Sequence, residues 1–186
     1  MNAQFEHLMA RAEQLIARIE AVLPQPLAAP DWSAAVAWRY RKRSSGHGVL
    51  EPVRHVAGMQ LSDLKEIDAQ KEKIQRNTQQ FVEGKPANNV LLTGARGTGK
   101  SSLIRACLHT YADQGLRLIE VDKADLTDLP DIVEVVAGRA EKFIVYCDDL
   151  SFEDGEAGYK ALKSILDGSI AAATPNVLIY ATSNRR

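Results

Sequence analysis

Two cysteines in 186 residues, Cys107 and Cys147, are too few for a disulfide framework. Both sit in apolar stretches without metal-ligand spacing, so buried, reduced thiols are expected. Aromatic residues make up only 6%, and no charge dominates: 23 basic against 24 acidic side chains leave a net charge of −1, so no global field draws the chain to nucleic acid or anionic lipid. No apolar run approaches the roughly 18 residues that span a bilayer. Met1-Asn2-Ala3-Gln4-Phe5-Glu6-His7 also lacks the charged-then-apolar order of a secretory signal. These absences set aside membrane spans and disulfide-stapled secreted modules, and a cytoplasmic location is expected. What is present, 45% hydrophobic and 25% charged residues, is the composition of a globular chain able to bury a core unaided.

Phe5, Leu8, Met9, Ala12, Leu15, Ile16, Ile19, Val22 and Leu23 recur at steps of three and four, which predicts one amphipathic helix stopped by Pro24, Pro26 and Pro30. Docking of its stripe on the chain's own core is expected. Residues 31 to 56 mix Trp32 and Trp38 with Arg39, Tyr40, Arg41, Lys42 and Arg43, followed by Ser44-Ser45-Gly46-His47-Gly48, and give no clear period. Asp68 is the expected cap of a helix running to about Val82, broken by Gly84-Lys85-Pro86. From there strands and helices alternate: strand Val90 to Leu92, helix Ser101 to Tyr111, strand Leu116 to Val121, helix Leu129 to Ala140, strand Phe143 to Cys147, helix Tyr159 to Ile170 and strand Val177 to Ala181. The expected fold class is α/β, a three-layer P-loop sandwich on a parallel sheet, with ligands at the carboxyl ends of the strands. The expected division is a helical extension with a basic-aromatic segment over residues 1–56, then a nucleotide-binding core over 57–186.

Gly94-Ala95-Arg96-Gly97-Thr98-Gly99-Lys100-Ser101 fits the phosphate-loop pattern in full, between an apolar strand and an apolar helix. Glycines let backbone amides converge on phosphates, and Lys100 neutralises the β and γ groups. Ser101 offers a hydroxyl to Mg²⁺ at a helix N-terminus, with Ser102 following in the same cradle. ATP with Mg²⁺ is therefore the expected ligand pair. The strand Phe143-Ile144-Val145-Tyr146-Cys147 delivers Asp148 and Asp149 to the same sheet edge: Asp148 is the expected magnesium-linked acid, Asp149 the acid that directs the attacking water. Asn184, after a third strand and Thr182-Ser183, reaches toward a γ-phosphate and the water. Arg185 and Arg186 are candidates to stabilise phosphoryl charge between subunits. Asp122-Lys123-Ala124-Asp125 differs by one residue from a guanine-specifying motif but precedes the Asp148 strand, so it is set aside. Residues 39 to 54 hold five basic residues against Glu51 alone; docking of this cluster on an acidic surface of the core or of a neighbouring subunit is expected over DNA or RNA binding.

With Gly94 to Ser101, Asp148-Asp149 and Thr182-Ser183-Asn184 in order, the chain resembles an AAA+ ATPase, matching its Walker A, Walker B and sensor 1 elements over about residues 50 to 186. Ile67-Asp68-Ala69-Gln70-Lys71-Glu72, Pro86-Ala87-Asn88-Asn89-Val90 and Leu166-Asp167-Gly168-Ser169 further resemble a bacterial family of ATP-binding AAA+ proteins without an assigned cellular role. The resemblance implies a phosphate-loop strand flanked by the sensor strand and Ile67 near the adenine. It also implies homo-oligomers with nucleotide at the interfaces, acting on a protein partner. Two departures stand out. Asp149 replaces the usual, longer glutamate, so slow hydrolysis is expected; and the chain stops at Arg186 without the class's fifth strand or helical lid, so a truncated chain is expected. The leading expectation is an ATPase coupled to assembly and partner remodelling. The alternatives are an ATP-dependent switch or scaffold that barely hydrolyses, and a nucleic-acid-directed ATPase. A small-molecule kinase would want lid arginines where Asp154-Gly155-Glu156-Ala157-Gly158 stands.

Overall fold

The computed structural model describes residues 3–20, 23, 26–44, 46–54, 56, 58–151, 157–166 and 174–184. Its elements are α1 (Ala3–Glu20), β1 (Ala37–Lys42), β2 (Gly48–Pro52), α2 (Asp68–Val82), β3 (Val90–Thr93), α3 (Lys100–Tyr111), β4 (Leu116–Glu120), α4 (Leu129–Val136), β5 (Lys142–Cys147), α5 (Ala157–Leu166) and β6 (Val177–Ser183). One six-stranded sheet runs in the order β2-β1-β4-β5-β6-β3; every pairing is parallel except the β1–β2 hairpin.

The period-2 geometry of strands explains the layers. Along β5, Phe143, Val145 and Cys147 enter one core with α4, while Ile144 and Tyr146 enter the other with α2 and α3. Along β6, Val177, Ile179 and Ala181 take the first side, and Leu178 and Tyr180 the second. Both faces of the central strands are thus covered, as continuous apolar runs predict. The two cysteines fall one in each core, and burial pushes each thiol up to about 12. The phosphate-loop strand β3 lies at the sheet edge beside β6, with Leu91 61% exposed.

Three expectations are corrected. Residues 37–52, expected within a helical extension ending at 56, form the hairpin β1–β2 that extends the sheet, because Trp38 and Tyr40 point inward while Arg39 and Arg41 point out. The core sheet therefore begins before residue 57. Asp68 is not the cap of α2: it sits inside the first turn, bound to Lys71 at 2.8 Å, and Ile67 occupies the cap position. Helix α1 does not dock on the core; the side chains described along it are all exposed. Amphipathicity marks a face to be covered without naming the cover, and among the described residues no core surface buries it. Helix α4 is shorter than expected, ending at Val136, with Gly138 at φ 73° following it; α5 begins at Ala157, and residues 167–170 of its expected span lie outside the described residues.

Candidate functional site

The parallel pairing brings three strand ends to one place. Register Leu92↔Thr182 and Thr93↔Ser183 sets the start of the phosphate loop beside Asn184, and Gly94 N–H donates to Ser183 O at 3.2 Å. Register Cys147↔Ala181 sets Asp148 beside Thr182. Gly97 and Gly99 take φ of 82° and 81°, a left-handed conformation that costs other residues about 1 kcal/mol or more, and Gly99 is the residue that turns the loop into α3. The first hydrogen bond of α3 runs from Leu103 N–H to Gly99 O, so the amides of Lys100, Ser101 and Ser102 precede the helix ladder and add to its positive end.

A cavity of about 490 Å³ opens at this end, lined by Arg96, Gly97, Gly99, Lys100, Ser101, Ser102, Asp148, Asp149 and Asn184. Lys100 Nζ donates to Gly94 O and Ala95 O at 2.8 Å each and to Asn184 Oδ1 at 3.0 Å. Asn184 Nδ2 in turn donates to Asp149 Oδ1 at 2.6 Å. A second chain of contacts joins Ser101 Oγ to Asp148 Oδ1 at 2.9 Å, with Thr182 Oγ1 donating to the same oxygen and the Asp149 amide at 3.1 Å. Burial pushes the Asp148 carboxyl up, but hydrogen bonds from Thr182, Ser101 and the Asp149 amide outweigh it and hold the group below its ordinary value, so it is ionised at neutral pH. Asp149 adopts φ 52°, uncommon for a non-glycine residue, and its amide also donates to Thr182 Oγ1 at 2.9 Å. Such strain persists only where surrounding bonds over-determine it.

The donor set fits a hard divalent cation. One carboxylate and one hydroxyl at hydrogen-bonding distance are what Mg²⁺ takes from a protein when phosphates and water complete its shell. Among the described residues, no group of three or more His, Cys, Asp or Glu side chains forms a metal cage of its own. A second cavity of about 300 Å³ lies across the loop, lined by Ile67, Gln70, Leu92, Thr93, Gly94, Thr98, Gly99, Lys100 and Leu103. Gly99 and Lys100 wall both cavities, which places Ile67 one loop-width from the first cavity. Ala95 and Thr98 face each other within the loop, Thr98 Oγ1 donating to Ala95 O at 2.9 Å.

Of the residues singled out from sequence, Lys100, Ser101, Asp148, Asp149 and Asn184 converge. Arg185 and Arg186 lie outside the described residues. Thr182, which ties Asp148 to Asp149, was legible only as part of a polar pair; strand register, not spacing, gives it its place. Asp122 caps the turn after β4 by accepting from the Ala124 amide at 3.0 Å. In the basic hairpin, Arg39 pairs with Glu120 at 3.0 Å and Lys42 with Asp128 at 2.9 Å, while Trp38 is wholly buried and Tyr40 donates to Asp128 at 2.8 Å. Neither aromatic ring is available to stack a base.

The model of a family described as "Protein of unknown function (DUF815)" matches residues 33–186, so the match takes in the hairpin. Solved structures share the fold at low identity. Trip13 from Rhizobiales aligns at 16% identity and TM-score 0.53 over 72% of this chain and 59% of its own. AMPPCP-bound DnaA from Aquifex aeolicus aligns at 16% and 0.50 over 69% and 43%. The ORC1 protein of Aeropyrum pernix, in complex with DNA, aligns at 15% and 0.50 over 71% and 43%. This chain therefore spans between two fifths and three fifths of these structures, and its fold is the AAA+ type of P-loop sandwich.

Proposed function

The chain belongs to the DUF815 family, and from the geometry of its phosphate loop we propose that it binds ATP with Mg²⁺ and hydrolyses it to ADP and phosphate. The observation that carries the reading is the convergence of Lys100, Asn184 and Asp149 in one hydrogen-bonded chain beside the Ser101–Asp148 pair. The loop amides that follow Gly94, through Ser102, and the α3 terminus cradle the phosphates, and Lys100 exchanges its loop carbonyls for the β and γ oxygens. Ser101 and Asp148 hold Mg²⁺, which supplies neutralisation of phosphate charge when bound. Asp149, steadied by Asn184, orients the attacking water and takes its proton; Asn184 also steadies the γ-phosphate. Ile67 and Leu103 offer the apolar wall for the base.

Assembly through nucleotide-bearing faces, a guanidinium from Arg185 or Arg186 delivered to a neighbour's phosphate, and remodelling of a partner protein complete the reading. Their support is the AAA+ resemblance. One observation favours a slower, switch-like variant: the short Asp149 carboxylate is already engaged by Asn184 at 2.6 Å and must give up that bond to act on water. Turnover measured beside binding tests the reading. Asp149→Asn is expected to keep ATP·Mg²⁺ affinity while lowering hydrolysis at least about a hundredfold, in line with general-base contributions, whereas Asp148→Asn weakens the metal-dependent part of binding. Wild-type turnover in Asp149→Asn would remove Asp149 from the mechanism.

A further inference from the structure

We infer that α1 is a self-association element that pairs side by side, in parallel, with α1 of a second copy of this chain. Helix α1 spans 18 residues, about 27 Å. Its apolar side chains fall in a heptad, with Phe5, Ala12 and Ile19 at a, Leu8 and Leu15 at d, and Met9 and Ile16 at e. The six large ones among them are between 47% and 63% exposed, and no described residue of the helix is buried or half-buried. A stripe of this width facing water marks an interaction surface rather than a solvated helix.

The flanks say what covers it. On the side next to e lie Glu6, Glu13 and Glu20, all at b; on the side next to d lie Arg11 and Arg18, both at g. One flank is acidic and the other basic, with nothing mixed. When two such helices pack in parallel, the g flank of one meets the e and b flank of the other. The stems of Arg11 and Arg18 then cover the apolar e side chains of the partner copy, and their guanidinium groups reach its glutamates. In antiparallel pairing like flanks meet, glutamate against glutamate and arginine against arginine. The surface is thus self-complementary in one orientation only. With three acidic residues against two basic ones, the helix has no cationic surplus for an anionic lipid surface.

Sedimentation of the full chain in EDTA, without nucleotide and at low salt, tests this independently of the ATP reading. Association is expected in the wild type and in Lys100→Ala alike. Arg11→Glu with Arg18→Glu makes both flanks acidic and raises the apparent Kd at least about tenfold, since attractive pairs become repulsive on both sides of the seam. Adding Glu6→Arg, Glu13→Arg and Glu20→Arg to that protein restores opposite flanks and rescues association. Ile19→Cys, treated with oxidised glutathione that leaves as two reduced thiols, is expected to form a disulfide-linked dimer, because parallel pairing sets equal positions side by side near the helix end; the native cysteines are buried and do not compete. All these positions are exposed, so the core's melting transition stays unchanged. A wild type that remains monomeric, charge variants that associate like it, or a helix that binds phosphatidylcholine–phosphatidylglycerol vesicles without self-associating would each overturn the proposal.

Discussion

Thr182→Val tests whether the strand beside Asp148 positions the acid proposed to hold Mg²⁺. Valine keeps the shape of threonine and removes only the hydroxyl, which is 1% exposed with its residue, donates to Asp148 Oδ1 and accepts from the Asp149 amide. Asp148 keeps Ser101 and the Asp149 amide, so the carboxylate loses one donor of several. A hydrogen bond to a charged group contributes about 1.5–3 kcal/mol when buried; Asp148 is partly in water, which screens the bond to below that range, so a loss of about 1 kcal/mol is expected, or a fall in Tm of about 2–4 °C for a chain of this size. The sign with pH follows from the depressed carboxyl. Its stabilising contribution is complete above the ordinary 3.8 and is lost as pH falls through the lower folded value. The gap between wild type and variant should therefore be constant from pH 7 to 5 and narrow in more acidic solution. Calorimetry at pH 7 should also show ATP·Mg²⁺ affinity reduced about fivefold, with metal-free ATP binding little changed. Equal melting curves and equal Mg²⁺ dependence in the two proteins would refute the assignment of Thr182 as the residue that positions Asp148.

Lys100→Ala is expected to abolish measurable ATP binding in calorimetry, because the anion cradle loses its mobile cation; unchanged affinity in a folded protein would remove the ATP reading. Neutralising Arg41, Lys42 and Arg43 together should cost about 1 kcal/mol or less in a urea melt, chiefly through the Lys42–Asp128 pair, and leave single-stranded DNA binding negligible in both proteins. Tight, salt-sensitive DNA binding by the unmodified chain, lost on neutralisation, would contradict it.

The contiguous parts of the site were legible from sequence. The phosphate loop needs only local glycines and a lysine at fixed spacing, and β3, β5 and β6 announced themselves as short apolar runs between helical segments. What was not legible depends on which strands become neighbours: Thr182 gains its role from pairing with β5, a contact between segments 34 residues apart. The hairpin did carry a signal, since Trp38-Arg39-Tyr40-Arg41 alternates inward and outward, but the preceding proline-rich stretch and the surplus of arginine obscured it as a strand. The uncovered face of α1 was misassigned for a different reason. A period of three and four residues states that a face exists, and its occupant is written in the charges beside it.

The place of β3 at the sheet margin bears on the stiffness of the phosphate loop. This four-residue strand is laddered to β6 on one side only, and beyond that it is held by the Asn77 side chain gripping Asn88 through N–H and C=O at 2.9 and 2.8 Å. Its outer row of amides and carbonyls has no strand partner among the described residues, and such a margin accepts an incoming strand readily. Amide exchange should consequently be faster along Val90–Thr93 than along Lys142–Cys147, which is flanked on both sides. Any segment that paired with the open margin would tighten the mounting of Gly94 to Gly99 at a distance, and so convert a backbone contact far from the loop into a change in how firmly the loop is set.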